Sequence, residues 1–184
     1  LPAAPAEAKG LCAPGAIVLE GRVHLFYQTY GQGRLDALCH AVSDDGVAFH
    51  RHARNPILRP NGSWNVGRAI DADAVLFRGR LWVYWATRDP EMKIQQLGAS
   101  YTDPGSSFDP EAWTQANPDG PILKPERPWE GDCIEAPALC AHGGRLFMWY
   151  GGAWNASPQQ LGCAVSEDGV RWERLGQEPW LPCG

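Results

Sequence analysis

The chain has 184 residues, of which 44% are hydrophobic and 20% are charged, and its formal net charge is −5. This length allows a sizeable buried core, and the negative charge excludes nucleic acid as an expected partner, because phosphate binding requires a basic surface. The sequence contains no apolar run long enough to cross a membrane, and its six cysteines show no zinc-binding spacing.

One pattern occurs three times along the chain: a glycine, an aromatic strand-like run, a segment from Ser to Asp and a Pro-rich exit. Gly79 lies 58 residues after Gly21, and Gly144 lies 65 residues after Gly79. Repeats of this size fit the four-stranded blades of a β-propeller. Short Val-, Ile-, Tyr-, Trp- and Phe-rich runs bounded by Gly and Pro also favour strands over helices. The sequence therefore predicts an all-β fold with three four-stranded blades.

Each repeat is expected to supply four strands, named A to D here. Strand A precedes the glycine and is predicted at 16–19, 74–77 and 138–141. Strand B is the aromatic run after the glycine, and strand C is predicted at 38–43, 97–100 and 161–166. Strand D is predicted near 48–50 and 171–173. Strand A should line the central channel of the propeller.

We interpret 1–184 as a single propeller segment, with blades at about 11–60, 66–125 and 131–184. Three blades cannot close a ring without leaving unpaired strand edges or bare blade faces. The segment is therefore expected to be part of a larger propeller with further blades, or to close through a partner chain, and the first alternative is favoured.

Two carboxylates stand just before strand A in neighbouring repeats. Aligning the repeats makes Asp71 and Glu135 equivalent, with Ala13 as the third member and one extra residue allowed near His142 or Gly143. A pair of carboxyl groups is what glycoside hydrolysis needs, because one group must hold a proton while the other is ionised. A like charge nearby raises the pKa of the proton donor. The alternative is that both carboxylates bond backbone N–H groups at the start of strand A.

These segments resemble a known family of enzymes. Residues 13–15, 69–73 and 134–139 look like three successive blade starts of glycoside hydrolase family 43, which is related to families 32, 62 and 68. The resemblance implies a five-bladed propeller, with the first repeat as blade two. It makes Glu135 the general acid and Asp71 the group that tunes the pKa of that acid. The general base would then lie upstream of this chain, and Ala13 offers no carboxylate in its place.

Other residues are weaker candidates for the rim of the funnel formed by the B–C loops. Arg88 and Asp89 could bind sugar hydroxyls or form a local ion pair, which is slightly favoured. Arg68 could pair with Asp71 and lower the pKa of that carboxyl. The candidate substrate-binding residues are Asp73, Arg68, Arg88, Asp89, Trp154 and Gln28.

The sequence thus predicts a glycoside hydrolase acting on oligo- or polysaccharides, with arabinofuranosides and xylosides favoured by the resemblance. No cofactor is required, and Ca²⁺ in the channel is compatible with the resemblance; no metal-binding residue is predicted. Secretion or a periplasmic location would suit such an enzyme, but no residue indicates it. The alternatives are a non-catalytic carbohydrate-binding propeller and a phosphorolytic enzyme, for which Arg68, Arg78, Arg80 and Arg88 are candidate phosphate ligands.

Overall fold

The computed structural model describes residues 5–153 and 158–183. Three four-stranded antiparallel sheets account for nearly all regular structure, and each sheet follows chain order. The first contains β1 (Leu11–Leu19), β2 (Arg22–Thr29), β3 (Leu38–Ser43) and β4 (His50–Arg51). The second contains β5 (Ile70–Phe77), β6 (Arg80–Arg88), β7 (Gln95–Thr102) and β8 (Thr114–Gln115). The third contains β9 (Ile134–His142), β10 (Arg145–Gly152), β11 (Gln160–Ser166) and β12 (Glu173–Arg174). The predicted all-β architecture of three four-stranded propeller blades is confirmed.

Besides the strands, the described residues form four short 3-10 helices, at Pro5–Glu7, Gly33–Leu35, Pro110–Ala112 and Pro128–Glu130. No helix in this part of the chain is both long and apolar enough to cross a membrane.

Glycine turns set the register of each inner hairpin. Gly21, Gly79 and Gly144 have φ of 79°, 76° and 77°, in the left-handed region that favours glycine. The residues on either side of each turn pair directly, as in Leu19 with Arg22. The aromatic run after each glycine therefore lies against the inner strand of its own blade.

The inner strands begin earlier than the sequence predicted. They start at Leu11, Ile70 and Ile134 rather than at residues 16, 74 and 138. Each inner strand contains a β-bulge, and residues on the N-terminal side of the bulge still pair with the neighbouring strand. The strand therefore extends beyond the predicted start. The outer strands also begin about two residues later than predicted, at His50 and Glu173.

The core is formed between blades rather than within one sheet. Phe26 and Leu38 of the first blade pack with Val83 and Trp85 of the second in one buried cluster. A second cluster joins the second and third blades. Inner strand β5 contacts both β1 and β9, so the three inner strands lie side by side. This arrangement brings the three bulges together.

The two outermost blade faces carry exposed apolar side chains. Val18 of the first blade is 63% exposed, and Trp180 and Leu181 beside the third blade are 56% and 59% exposed. In a closed propeller, a neighbouring blade covers each such face. The three blades thus form an open arc.

A buried carboxylate ties the segment before the inner strand to the outer strand of the same blade. Glu7 is fully buried, accepts a 2.5 Å hydrogen bond from the Tyr27 hydroxyl and lies 3.6 Å from the Arg51 guanidinium. The third blade repeats the arrangement with Glu130, Tyr150 and Arg174. These clusters fix the approach of the chain to each of these two bulges.

Candidate functional site: an axial cavity with two carboxylates

Three β-bulges meet at one end of the inner strands. Their central residues Ala13, Asp71 and Ala136 have φ of 47°, 50° and 48°. Because two of the three are alanines, this left-handed conformation belongs to the fold and not to a particular chemical role. The bulges line a cavity of about 310 Å³ formed by residues 13–15, 71–73 and 136–138.

Strand register changes the alignment of the two predicted carboxylates. Asp71 occupies the same bulge position as Ala136, whereas Glu135 pairs with Gly151 as Ile70 pairs with Ala86. The sequence alignment of Asp71 with Glu135 is therefore wrong by one residue. The physical reason is the turn: Gly143 and Gly144 match Arg78 and Gly79 in φ, which leaves no extra residue in the third repeat.

Asp71 lies on the wall of the cavity, and the first blade holds its backbone. The side-chain oxygen of Gln28, which is 3% exposed, accepts a short hydrogen bond from the Asp71 N–H. Among the described residues, no hydrogen bond reaches the Asp71 carboxylate. Burial raises the pKa of this carboxyl, and the positive charge of Arg68 partly offsets the rise.

Glu135 lies beside Asp71 at the junction of the second and third blades. Its carboxylate accepts a short hydrogen bond from the side-chain amide of Gln95. Burial raises the pKa of Glu135, and the negative charge of Asp71 raises it further. Hydrogen bonds from Cys133 and Gln95 and the charge of Arg88 act in the opposite direction, but the net shift is upward. The two carboxyl groups are therefore electrostatically coupled, and Glu135 retains its proton to a higher pH than an exposed glutamate.

Arg68 is shared between two carboxylates. Its guanidinium Nε lies 4.0 Å from a carboxylate oxygen of Asp36, which is itself buried. The same guanidinium lowers the pKa of Asp71. This agrees in direction with the expected effect of Arg68, although burial outweighs it. Arg68 Nε is buried and has no hydrogen-bond partner, and its nearest acidic group is the Asp36 carboxylate.

Asp73 and Gln28, both predicted to bind substrate, form hydrogen bonds within the protein. One carboxylate oxygen of Asp73 accepts a 2.7 Å bond from the N–H of Leu139 in the third blade, and the other accepts a 2.9 Å bond from Ala74. Asp73 thus joins β5 to β9. Gln28 is occupied by the Asp71 backbone and the Cys12 thiol. Asp73 also lines the cavity, and the hydrogen bond to Gln28 holds the backbone of Asp71.

Arg88 and Asp89 do not form the ion pair that was favoured from the sequence. Arg88 donates a 3.0 Å bond to the carbonyl of Met92. Asp89 accepts bonds of 2.7 and 2.8 Å from the N–H groups of Lys93 and Ile94, which closes the loop between β6 and β7. Asp89 is therefore a turn-forming residue. The candidate substrate-binding residue Trp154 lies outside the described residues.

Two of the arginines considered for phosphate binding stand far from the cavity. The Arg78 guanidinium lies 5.2 Å from the centroid of the Phe77 ring, and that of Arg80 lies 4.2 Å from the centroid of Tyr101. Both belong to the hairpin at the opposite end of the inner strands, as expected from the sequence. Within the described residues, no group of three or more His, Cys, Asp or Glu side chains is arranged to hold a metal ion.

Sequence analysis missed Gln95 and Cys133, which contact the carboxyl group of Glu135. Gln95 is simply the first residue of a strand, and no motif singles it out. Cys133 is part of a parallel bridge with Gln95 that joins two blades. Such contacts depend on how neighbouring blades pack against each other. In the sequence, only the alignment of the repeats gave information about where these blades meet.

Several solved structures of glycoside hydrolases have the same fold as this chain. A thermostable family-43 glycoside hydrolase has a TM-score of 0.71 and 19% sequence identity, covering 93% of this chain and 55% of that protein. A family 117 glycoside hydrolase from the marine bacterium Zobellia galactanivorans has a TM-score of 0.72 and 18% identity, covering 93% and 57%. An α-L-arabinofuranosidase from Lactobacillus brevis has a TM-score of 0.67 and 18% identity, covering 92% and 55%.

No protein-family model matches the sequence, and no curated protein matches it significantly. The chain spans a little over half the length of the three solved structures described above. At these identities the similarity establishes the fold. The chain therefore has the fold of three consecutive blades of a glycoside hydrolase β-propeller.

Proposed function

We propose that these three blades form part of a glycoside hydrolase active site, with Glu135 as the general acid and Asp71 as the group that keeps it protonated. The observation that carries the proposal is the placement of two partly buried carboxyl groups at neighbouring bulges, with Asp71 on the cavity wall. Burial and the charge of Asp71 raise the pKa of Glu135. A proton donor must retain its proton near neutral pH, and enzymes achieve this by burial and like charge.

In the proposed reaction, Glu135 transfers its proton to the glycosidic oxygen as the bond between that oxygen and the anomeric carbon breaks. Water then supplies the new bond to the anomeric carbon, and a general base outside this chain takes the proton of that water. The charge of Asp71 opposes ionisation of Glu135 in the resting site. Arg68 carries the positive charge that opposes the rise in the pKa of Asp71.

Arabinofuranosides and xylosides are the proposed substrates. The support is the shared fold with an α-L-arabinofuranosidase and with an endo-1,4-β-xylanase from Bacteroides thetaiotaomicron, the latter at a TM-score of 0.70. Part of the cavity wall consists of small side chains, because Ala13, Ala136 and Ala138 contribute no long groups to it.

Replacing Glu135 with glutamine tests the role of the acid in the protein as it is naturally expressed. Glu135→Gln should lower turnover of alkyl or sugar glycosides by about 10²–10⁴-fold. It should spare aryl glycosides with dinitrophenolate leaving groups, because these depart without protonation. Glu167→Gln, an exposed glutamate of the same blade, is the matched control.

A non-catalytic carbohydrate-binding propeller is the second candidate, and Ala13 favours it because the first bulge lacks a carboxylate. A binding module would retain a sugar ligand in calorimetry and show no turnover in any variant. Equal loss of both leaving-group classes in Glu135→Gln would contradict the role of Glu135 as general acid.

A further inference from the structure

Gln95 occupies the boundary between the second and third blades, directly behind Glu135. It is the first residue of β7 and is 2% exposed. Its backbone N–H donates a 2.9 Å hydrogen bond to the carbonyl of Asp132, and it forms a parallel bridge with Cys133. The backbone of Gln95 is therefore fixed to the segment that leads into Glu135.

The side chain of Gln95 crosses this boundary and donates from Nε2 to the Oε2 atom of Glu135. An amide does not ionise, so it keeps this donor at every pH of interest. A carboxyl oxygen that accepts a hydrogen bond from Nε2–H is a poor place for the acid proton. This contact favours the other carboxyl oxygen, Oε1, as the site of the acid proton.

We propose that Gln95 is a positioning residue, which fixes the rotamer of Glu135 and confines the transferable proton to Oε1. This inference rests on the proposed function, because a fixed proton matters only if Glu135 acts as an acid. Its physical basis is preorganisation: a proton donor held in one geometry transfers its proton without first reorienting.

Three other groups also act on Glu135. Asp71 on β5 and Arg88 at the end of β6 act on the pKa of Glu135 with opposite signs, and Cys133 donates a further hydrogen bond. Charges act over distance and do not select one carboxyl oxygen over the other. The Gln95 amide, in contrast, bonds one oxygen, and the backbone of Gln95 is held by its contacts with Asp132 and Cys133.

The neighbouring glutamine provides a matched control. Gln96 is 5% exposed and donates a 3.0 Å bond to the backbone carbonyl of Trp64. It belongs to the same strand and is equally buried, but it contacts no carboxylate. Gln95→Met and Gln96→Met thus remove comparable amides, and only the first removes a contact with Glu135.

The first measurement is a ¹³C NMR titration of the Glu135 carboxyl, assigned by the loss of its signal in Glu135→Gln. Gln95→Met should raise the pKa of Glu135 by about one unit, because a donor that stabilises the carboxylate is lost. Gln96→Met should leave it unchanged. If Gln95→Met does not fold, Gln95→Asn serves, since its shorter amide falls short of Oε2. An unchanged pKa in the folded variant overturns the proposal.

The second measurement compares leaving groups. Gln95→Met should lower the rate on an alkyl xyloside about tenfold more than the rate on a dinitrophenyl xyloside. An equal loss of both rates would indicate a purely structural defect and would overturn the proposal. If no glycoside is hydrolysed by the unmodified protein, the proposed function fails and the positioning role falls with it. The titration would still report whether Gln95 contacts Glu135.

Discussion

Replacing Glu130 with glutamine would leave the charge of Arg174 without its buried partner. The Glu130 side chain is fully buried and accepts hydrogen bonds of 2.8 Å from the Tyr150 hydroxyl and 2.8 Å from Arg174 Nε. It also accepts bonds of 2.7 and 3.0 Å from the N–H groups of Glu126 and Arg127. The cluster connects the segment before β9 to the outer strand of the third blade.

The expected loss can be worked out from these contacts. Removing one partner of a buried ion pair costs about 3–5 kcal/mol, because the remaining charge is uncompensated. Arg174 also donates a 2.6 Å bond to the carbonyl of Lys124 and lies 3.2 Å from Glu126. These remaining partners favour the lower end, so we expect Glu130→Gln to lower the free energy of unfolding by about 3 kcal/mol at pH 7.

The effect should depend on pH in a defined direction. Burial alone would raise the pKa of Glu130, but hydrogen bonds from Arg174, Glu126, Arg127 and Tyr150 outweigh it and lower the pKa. A lowered pKa stabilises the fold above about pH 4.3, the value for an unfolded glutamate, and this stability is lost as the pH falls through the folded value. The difference between wild type and Glu130→Gln should therefore shrink below about pH 4.

Urea denaturation at pH 7 and pH 3.5 measures both quantities. Glu126→Gln is the matched control, because the Glu126 side chain is 49% exposed and its pairing with Arg174 should contribute less than about 1 kcal/mol. A loss in Glu130→Gln no larger than that of the control, or one that is the same at both pH values, would refute the reasoning.

Three other changes test the packing and the acid sensitivity of the fold. A Cβ added at Gly98 would lie 2.1 Å from Trp85 Cη2, so Gly98→Ala should lower the free energy of unfolding in urea by about 1–3 kcal/mol. Gly120→Ala, whose added Cβ faces open space, should leave it unchanged, and equal effects of the two substitutions would contradict the packing. Burial, with the charges of neighbouring histidines, lowers the pKa of His40 to about 3, so the fold should lose stability below about pH 6.5. His40→Asn should remove up to about 1.4 kcal/mol per pH unit of this slope, and an unchanged slope would count against it. Asp73→Ala should cost about 1–3 kcal/mol in the same assay and speed hydrogen exchange in β9, whereas protection equal to wild type would be inconsistent with the joining role.

The repeat pattern predicted the fold because the features that define a blade lie close together in the sequence. Gly21, Gly79 and Gly144 mark the inner hairpins by a backbone conformation that glycine adopts freely. The aromatic run after each glycine then pairs in register with the inner strand. Both signals lie within a few residues of each other, so a single sequence contains them.

The site was predicted less completely because its details arise between blades. The turn after β9 contains no extra residue, so Glu135 lies opposite Gly151 and not in line with Asp71. Asp73 and Gln95 act on the third blade from the second. No pattern along the chain encodes such contacts, since they depend on the packing of one sheet against the next.

The proposed chemistry depends most directly on the electrostatic effect of Asp71 on Glu135. The decisive measurement is the pKa of the Glu135 carboxyl, followed by ¹³C NMR in the wild type, in Asp71→Asn and in Asp119→Asn, an exposed control. We predict that Asp71→Asn lowers the pKa of Glu135, because the charge that raises it is removed, and that Asp119→Asn has no effect. An identical pKa in all three proteins would contradict the account.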